Sequence, residues 1–268
     1  ERVLVTAPDT DYTPFDRGAI SDRTTFHLGD AVFQAARDVR RQVLALAAER
    51  LEAAVEDLEV RDGLVGVRGV PERAIDLAEV ARISLRQRAG PIVGAGRHLE
   101  EGVIPLDPET GQSPKAVSHY KFGAQAVRVR VDEETGMVKV LEVASAHDCG
   151  KAVNPIQVES QIQGAVAQGI GYALMEEMHF EDGQVMNPTL MDYLVPTAPD
   201  VPRVHPIIVE RPHPRSPYGV KGVGEPGIIG VAPAIGNAIH HATGVFLADL
   251  PMTPERVIKA IEAQGAGT

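Results

Sequence analysis

Three stretches of the 268-residue sequence bring together residue types that can do chemistry. The first is Lys221-Gly222-Val223-Gly224-Glu225-Pro226-Gly227, just after Gly219. Its glycines let the backbone approach a ligand closely. Glu225 stands at the centre, ahead of a helix that the pattern starts near Gly227 or Ile228. Two roles are open to its carboxylate. It can sit as a capping charge at the helix N-terminus, which the dipole favours, or act as a general base in a dry, Gly-lined pocket. The second stretch, Ser21-Asp22-Arg23-Thr24-Thr25, lies between Gly18 and Gly29. Successive hydroxyls, backbone N–H groups and one Arg can bind a phosphate or pyrophosphate. A surface loop leading to a helix at Asp30 is the competing reading. In the third, Gln157, Gln161, Gln163 and Gln168 interrupt an otherwise apolar run. Buried amides would need partners, which a polar cofactor would supply; a solvated helix face would need none.

Weaker candidates give way to bland readings. Asp148 and Cys149 precede Gly150 at a strand end, where a structural turn suffices. His240 and His241 are adjacent on a helix and so face different directions, which excludes a shared metal. His27, His147 and His179 are isolated, and no metal-ligand set is read from the chain. Neither a Ser-His-Asp signature nor a Rossmann glycine fingerprint is present, so hydrolase and nicotinamide chemistry lack support. One thiol, Cys149, can build neither a disulfide framework nor an iron–sulfur site.

The elements that must position these residues follow from periodicity. Val3-Leu4-Val5 reads as a short strand, and Thr6 to Gly29 as an ordered loop. Val32, Ala35, Ala36, Val39, Val43, Leu46 and Ala47 recur at helical spacing, predicting a helix over 30–48. Short strands follow at 58–60 and 64–67, turning at Asp62-Gly63, then a helix near 76–85 with Asp76 and Glu79 spaced for capping. Residues 101–118 form a Pro/Gly-rich connection. Alternating runs at 126–131 and 138–143, joined through Gly136, predict a hairpin. A helix is predicted over 156–177, carrying Gly164, Gly169 and Gly171 at a propensity cost of ~1 kcal/mol each, which close packing would offset. A strand at 205–210 and helices at 228–242 and 254–263 complete an α+β chain of mixed sheets and packed helices, with subdomains 1–120 and 121–268.

Composition sets the class. The apolar fraction of 44% and charged fraction of 24% fit an ordinary globular protein. A net charge of -11 opposes nucleic-acid binding. No apolar run reaches membrane-spanning length, and the first residues lack the form of a secretory signal, so a cytoplasmic location is expected. The first residue is Glu1, which fits a start inside a longer gene product.

In their order along the chain these blocks resemble the molybdopterin-binding subunit of the xanthine dehydrogenase/aldehyde oxidase family, in its C-terminal half. The blocks are Thr10 to Val32 with the Ser-Asp-Arg-Thr-Thr core, Ala146-His147-Asp148-Cys149-Gly150 leading to Asn154-Pro155, Gln161 to Gly171, and Lys221 to Gly227. The resemblance implies a molybdenum hydroxylase that oxidises an N-heterocycle or aldehyde carbon with water-derived oxygen. Glu225 then matches the general base to the Mo-bound hydroxide. Ser21, Asp22, Arg23, Thr24 and Thr25 match the loop at the cofactor's phosphate end, and Gln161 and Gly224 match cofactor contacts. Where many relatives have a small hydroxyl residue this chain has Asp22; an acid facing a phosphate is unfavourable, so its side chain should turn away, toward Arg23. The implied cofactor is a molybdenum-pterin of the molybdopterin cytosine dinucleotide type, with iron–sulfur clusters and FAD on partner chains or domains. Implied partners are the upstream half or a companion molybdopterin subunit, an iron–sulfur subunit and an FAD subunit, in a dimer of protomers acting on a small molecule. Carbon monoxide oxidation and reductive dehydroxylation of an aromatic thioester are other activities in the family. A non-catalytic assembly protein reusing the fold is the rival from a different class.

Overall fold

The computed structural model describes residues 3–6 and 8–266. Glu1 and Arg2, part of the N-terminal stretch read above for a signal, lie outside them. The chain divides into two compact units. One comprises Thr24–Gly102 with the described residues up to Gly18; the other comprises Ala19–Arg23 with Val103 onward.

In the smaller unit, a π-helical turn (Thr24–Leu28) runs directly into helix α1 (Gly29–Leu51). The helix expected from Asp30 is therefore preceded by this helical turn, and the expected loop ends before Thr24 rather than at Gly29. Phe26, buried at 6% exposure, gives the extra turn an apolar anchor that the irregular sequence concealed. Val32 and Ala36, predicted for the inner face, are exposed; burial concentrates at Val43, Leu44, Leu46 and Ala47. These pack with Leu58, Val65, Val80 and Ile83 from strands β1 (Leu58–Arg61) and β2 (Leu64–Val67) and helix α2 (Leu77–Gln87). Asp62 and Gly63 both take positive φ, as a tight two-residue hairpin turn requires. An unpredicted strand, β3 (Val70–Asp76), completes an antiparallel sheet in the order β1-β2-β3. Asp76 caps α2, accepting from the Glu79 amide at 2.8 Å. Val3–Val5 forms no strand and is largely exposed; with no ladder partner, strand-like composition alone does not make a sheet.

The larger unit is built on β4 (Gly123–Val131), β5 (Val138–Asp148) and β8 (Arg203–Val209), with β6 (Phe180–Glu181) and β7 (Gln184–Val185) as a small separate hairpin. The predicted β4–β5 hairpin forms antiparallel, while β8 pairs parallel to β5. A parallel neighbour needs a crossover connection, and helix α3 (Pro155–Leu174) lies on it, capped by Asn154. Val166 and Ile170 of α3 pack with Val143, Val231, Ile235, Ile239, Met252 and Val257 into one core.

The helix predicted over 228–242 is two helices, α4 (Pro226–Ile229) and α5 (Val231–Thr243). Pro233 explains the break, because in a continuous helix its ring would strike the carbonyl of Ile229. Helix α6 (Pro254–Gly265) closes the chain. Two of the three α3 glycines are compensated by close packing. A Cβ on Gly169 would lie 2.5 Å from Val231, and one on Gly171 2.6 Å from Pro196, whereas Gly164 has nothing within 4 Å.

Candidate functional site

The loop 219–227 is held at several points along its length. At its start, Lys221 donates to Asp148 at 2.5 Å with both side chains nearly buried (10% and 5% exposed). The Lys221 amide also donates to the Cys149 carbonyl, and the Lys151 amide to the Gly219 carbonyl. Asp148 and Cys149 thus take the structural role read for them, and what they support is the Glu225 loop. Burial, and then the charge of Glu210, push the Cys149 thiol up, which keeps it protonated and unreactive.

The middle of the loop meets the Ser21–Arg23 segment. A Cβ on Gly222 would come within 2.3 Å of the Asp22 Cβ, and one on Gly224 within 2.8 Å of Asp22 Oδ1 and 3.2 Å of Gln161 Oε1. Asp22, Gln161, Gly224 and Glu225 therefore converge within one unit. Asp22 does not behave as expected. Its Oδ2 accepts from Lys121 Nζ at 2.6 Å and its Oδ1 from the Glu225 amide at 2.5 Å, so the side chain turns into the loop rather than toward Arg23. Lys121 supplies the neutralising charge that Arg23 was expected to give.

The loop's far end rests on β4. Gln125 Nε2 donates to the Gly227 carbonyl at 2.5 Å and to Ser145 Oγ at 3.0 Å. Ser145 Oγ lies 2.8 Å from His147 Nε2. Burial pushes the His147 pKa down, so the ring is neutral and Nε2 can accept the serine proton. Behind the loop is a cleft of about 210 Å³ lined by Lys121, Gly123, Gln125, His147, Pro226 and Gly230. Gln125 Oε1 and His147 Nδ1 are buried there without protein partners. Lys121, Gln125 and Ser145 were missed in the sequence. The signal available for Gln125 was a polar residue heading the inward row Val127, Val129 and Val131 of β4.

Glu225 occupies the N-cap position of α4, yet its side chain makes no capping hydrogen bond. It is exposed, so the dry pocket expected around it is not formed by this chain. Gln157, Gln161, Gln163 and Gln168 are exposed as well, so the amides of α3 are not buried within this chain. Ser21, Asp22 and Arg23 belong to the larger unit, whereas Thr24 and Thr25 belong to the smaller one. Among the described residues no group of three or more His, Cys, Asp or Glu side chains could hold a metal ion.

A family model described as the molybdopterin cofactor-binding domain matches residues 1–202. The chain belongs to the molybdopterin cofactor-binding domain family. The resemblance to xanthine dehydrogenase subunits is borne out across the whole length. The chain is 34% identical over 264 residues to the putative xanthine dehydrogenase molybdenum-binding subunit of Escherichia coli (strain K12), covering 98% of this chain and 34% of that protein. It is 35% identical over 261 residues to the 6-hydroxypseudooxynicotine dehydrogenase complex subunit gamma of Paenarthrobacter nicotinovorans, covering 96% and 32%. The crystal structure of quinoline 2-oxidoreductase from Pseudomonas putida 86 superposes with a TM-score of 0.76 at 34% identity, covering 91% of this chain and 31% of that one. The α+β fold is accordingly that of a molybdopterin-binding region of a molybdenum hydroxylase. The chain spans about a third of the length of the relatives it matches. No helix among the described residues is long and apolar enough to cross a membrane.

The residues present fit a polar group held by uncharged contacts. Gln161 exposes an uncharged donor and acceptor beside Gly224. The Asp22 charge, which would oppose a phosphate, is balanced by Lys121 and side-chain buried at 3% exposure.

Proposed function

We propose that this chain is the molybdenum-cofactor-binding component of an oxidoreductase that hydroxylates an N-heterocycle or aldehyde carbon with water-derived oxygen, with Glu225 as general base. The observation that carries this reading is the state of Glu225. Its backbone amide is pinned by Asp22 while its carboxylate is exposed and makes no capping bond. A carboxylate on a backbone so held is chemically uncommitted, as a group that must accept a proton and release it requires. When bound, the molybdenum-pterin group supplies the two-electron oxidation. Glu225 receives at its carboxylate the proton of the water-derived nucleophile. Gln161 and Gly224 bind the cofactor's polar edge, and Ser21 and Arg23 its phosphate end. The same role for Thr24 and Thr25 rests on the sequence pattern alone.

The proposed cofactor is molybdopterin cytosine dinucleotide. Iron–sulfur clusters and FAD belong to partner chains or domains in a cytoplasmic dimer of protomers, and a companion segment closes the site over the exposed Glu225. The names of the quinoline and 6-hydroxypseudooxynicotine relatives favour an N-heterocycle as substrate. The test is Glu225→Gln in the complete complex, assayed over a panel of N-heterocycles and aldehydes with a dye acceptor. Turnover should fall by at least roughly 10²-fold with molybdenum content unchanged. Undiminished turnover would remove the base from Glu225 and overturn this reading of the site.

A further inference from the structure

We propose that Asp22 is a positioning residue, whose buried carboxylate, balanced by Lys121, fixes the Glu225 amide and so sets the place and direction from which the Glu225 side chain leaves the loop. This rests on the reading of Glu225 as the base.

The backbone gives the first argument. Ser21 and Asp22 stand at φ 51° and 59°, two consecutive non-glycine residues in the left-handed region. L side chains rarely adopt that conformation, and a fold retains it only where the surroundings over-determine it. Here the turn drives the Asp22 side chain into the Glu225 loop, where Gly222 alone leaves room for the Asp22 Cβ.

Hydrogen bonding gives the second. Each Asp22 oxygen has its own donor: Lys121 Nζ on Oδ2 and the Glu225 N–H on Oδ1. At 3% side-chain exposure the carboxylate is not free to serve as a cofactor ligand, and it tolerates burial because both oxygens are satisfied and its charge is matched. Serine or threonine at position 22 has one oxygen and a shorter reach. It could not hold both partners.

The third argument is the path from Asp22 to the carboxylate. Because the peptide unit is planar and stiff, holding the Glu225 amide fixes its Cα and the direction of its Cα–Cβ bond. The next anchor along the chain is Gln125 on the Gly227 carbonyl. Between them the two contacts set the direction in which Glu225 leaves the loop.

The experiment uses the complete complex and compares Asp22→Ala, Asp22→Asn and Glu225→Gln with the parent. Three quantities are read: amide hydrogen exchange of the peptide spanning 221–228, molybdenum per protein, and kcat and KM with the best substrate of the panel above. Asp22→Ala should raise exchange at the Glu225 amide and lower kcat by at least roughly 10-fold, because small misplacements of a reacting group are costly. KM and molybdenum content should hold. Asp22→Asn keeps an acceptor for the Glu225 amide but sets an NH2 against Lys121, so it should recover only part of the amide protection and of the lost kcat. Equal impairment of both variants with molybdenum lost would overturn the proposal in favour of a general structural or cofactor-binding role. Parent-like exchange in Asp22→Ala would overturn it outright. Glu225→Gln separates the two levels: if it is inactive while Asp22→Ala is normal, only the positioning role fails, and if it is fully active, the reading of Glu225 as base fails.

Discussion

Gly222 and Gly224 look interchangeable in the sequence, and the structure separates them. Replacing either with Ala adds one methyl group, but the two meet different neighbours. At position 222 the new Cβ would lie 2.3 Å from the Asp22 Cβ and 2.6 Å from the Asp22 carbonyl oxygen. Carbon atoms in contact sit about 3.5–4.0 Å apart, so the loop or the Ser21–Asp22 turn must move by more than about 1 Å. Both obstacles, a Cβ and a backbone oxygen, are fixed parts of the Ser21–Asp22 turn and cannot rotate away as a side-chain end can. Overpacking of this kind costs about 1–3 kcal/mol. The displacement also stretches the bond from the Glu225 amide to Asp22, and a hydrogen bond to a charged acceptor is worth about 1.5–3 kcal/mol. Gly222→Ala should therefore destabilise by roughly 3–5 kcal/mol. At position 224 the neighbours are Asp22 Oδ1 at 2.8 Å and Gln161 Oε1 at 3.2 Å. The first is the held oxygen that accepts the Glu225 amide and the second the mobile end of an exposed side chain, so Gly224→Ala should cost about 1–3 kcal/mol, less than Gly222→Ala, whose obstacles are a Cβ and a backbone oxygen. Chemical denaturation of the purified complete protein, followed by circular dichroism, measures the difference. Equal midpoints for the two variants would refute the account of how the loop packs.

Two further predictions concern α3 and the buried histidines. Gly169→Ala should destabilise by about 1–2 kcal/mol, since overpacking against Val231 outweighs the ~1 kcal/mol gain in helix propensity. Gly164→Ala, with open space around it, should instead stabilise by about 0.5–1 kcal/mol, and denaturation midpoints in the wrong order would defeat the packing assignment. Burial pushes His147 and His213 below the ordinary histidine value near 6.5, with Arg215 and Lys221 adding to the effect at His213. The unfolded chain then binds more protons, so their contribution to stability is complete above about pH 6.5 and is lost as pH falls through the lower folded-state values. Thermal midpoints between pH 7.5 and 5.5 should fall, with a shallower fall in His147→Gln; identical slopes would show that His147 is not held neutral.

The sequence is legible wherever one face of an element is buried and the other is not. The β4–β5 hairpin alternates along most of its length, which made it legible, although a β-bulge between Arg128 and Val129 shifts its register partway. Helix α2 declares its start through Asp76 and Glu79, three residues apart. Periodicity fails where local rules compete with tertiary packing. Phe26 draws an irregular Asp/Thr/Arg-rich segment into a π-turn, and no spacing rule anticipates an extra residue per turn. Strand β3 escaped notice because Pro71, Glu72 and Arg73 break the apolar alternation, and all three are exposed on an edge strand. Val3–Val5 fails in the opposite sense, having the composition of a strand without a neighbour to pair with.

The site was legible as blocks but not as contacts, because its contacts join residues far apart in the chain. Lys121 reaches Asp22 across 99 positions, and Asp22 reaches Glu225 across 203. Neither partner can be inferred from local pattern, since any surface lysine carries the same signal as Lys121. The contacts also bear on the ambiguity with which Glu225 began. A carboxylate at a helix start satisfies the dipole by accepting from the first free amides. At α4 the Glu225 side chain makes no such bond, and Asp22 instead accepts the N–H of Glu225 itself. Capping by its side chain therefore does not account for an acid at position 225. What the structure shows there is an exposed carboxylate on a loop anchored through Asp148, Asp22 and Gln125, three contacts that join residues far apart in the chain and hold the backbone on which the proposed base would act.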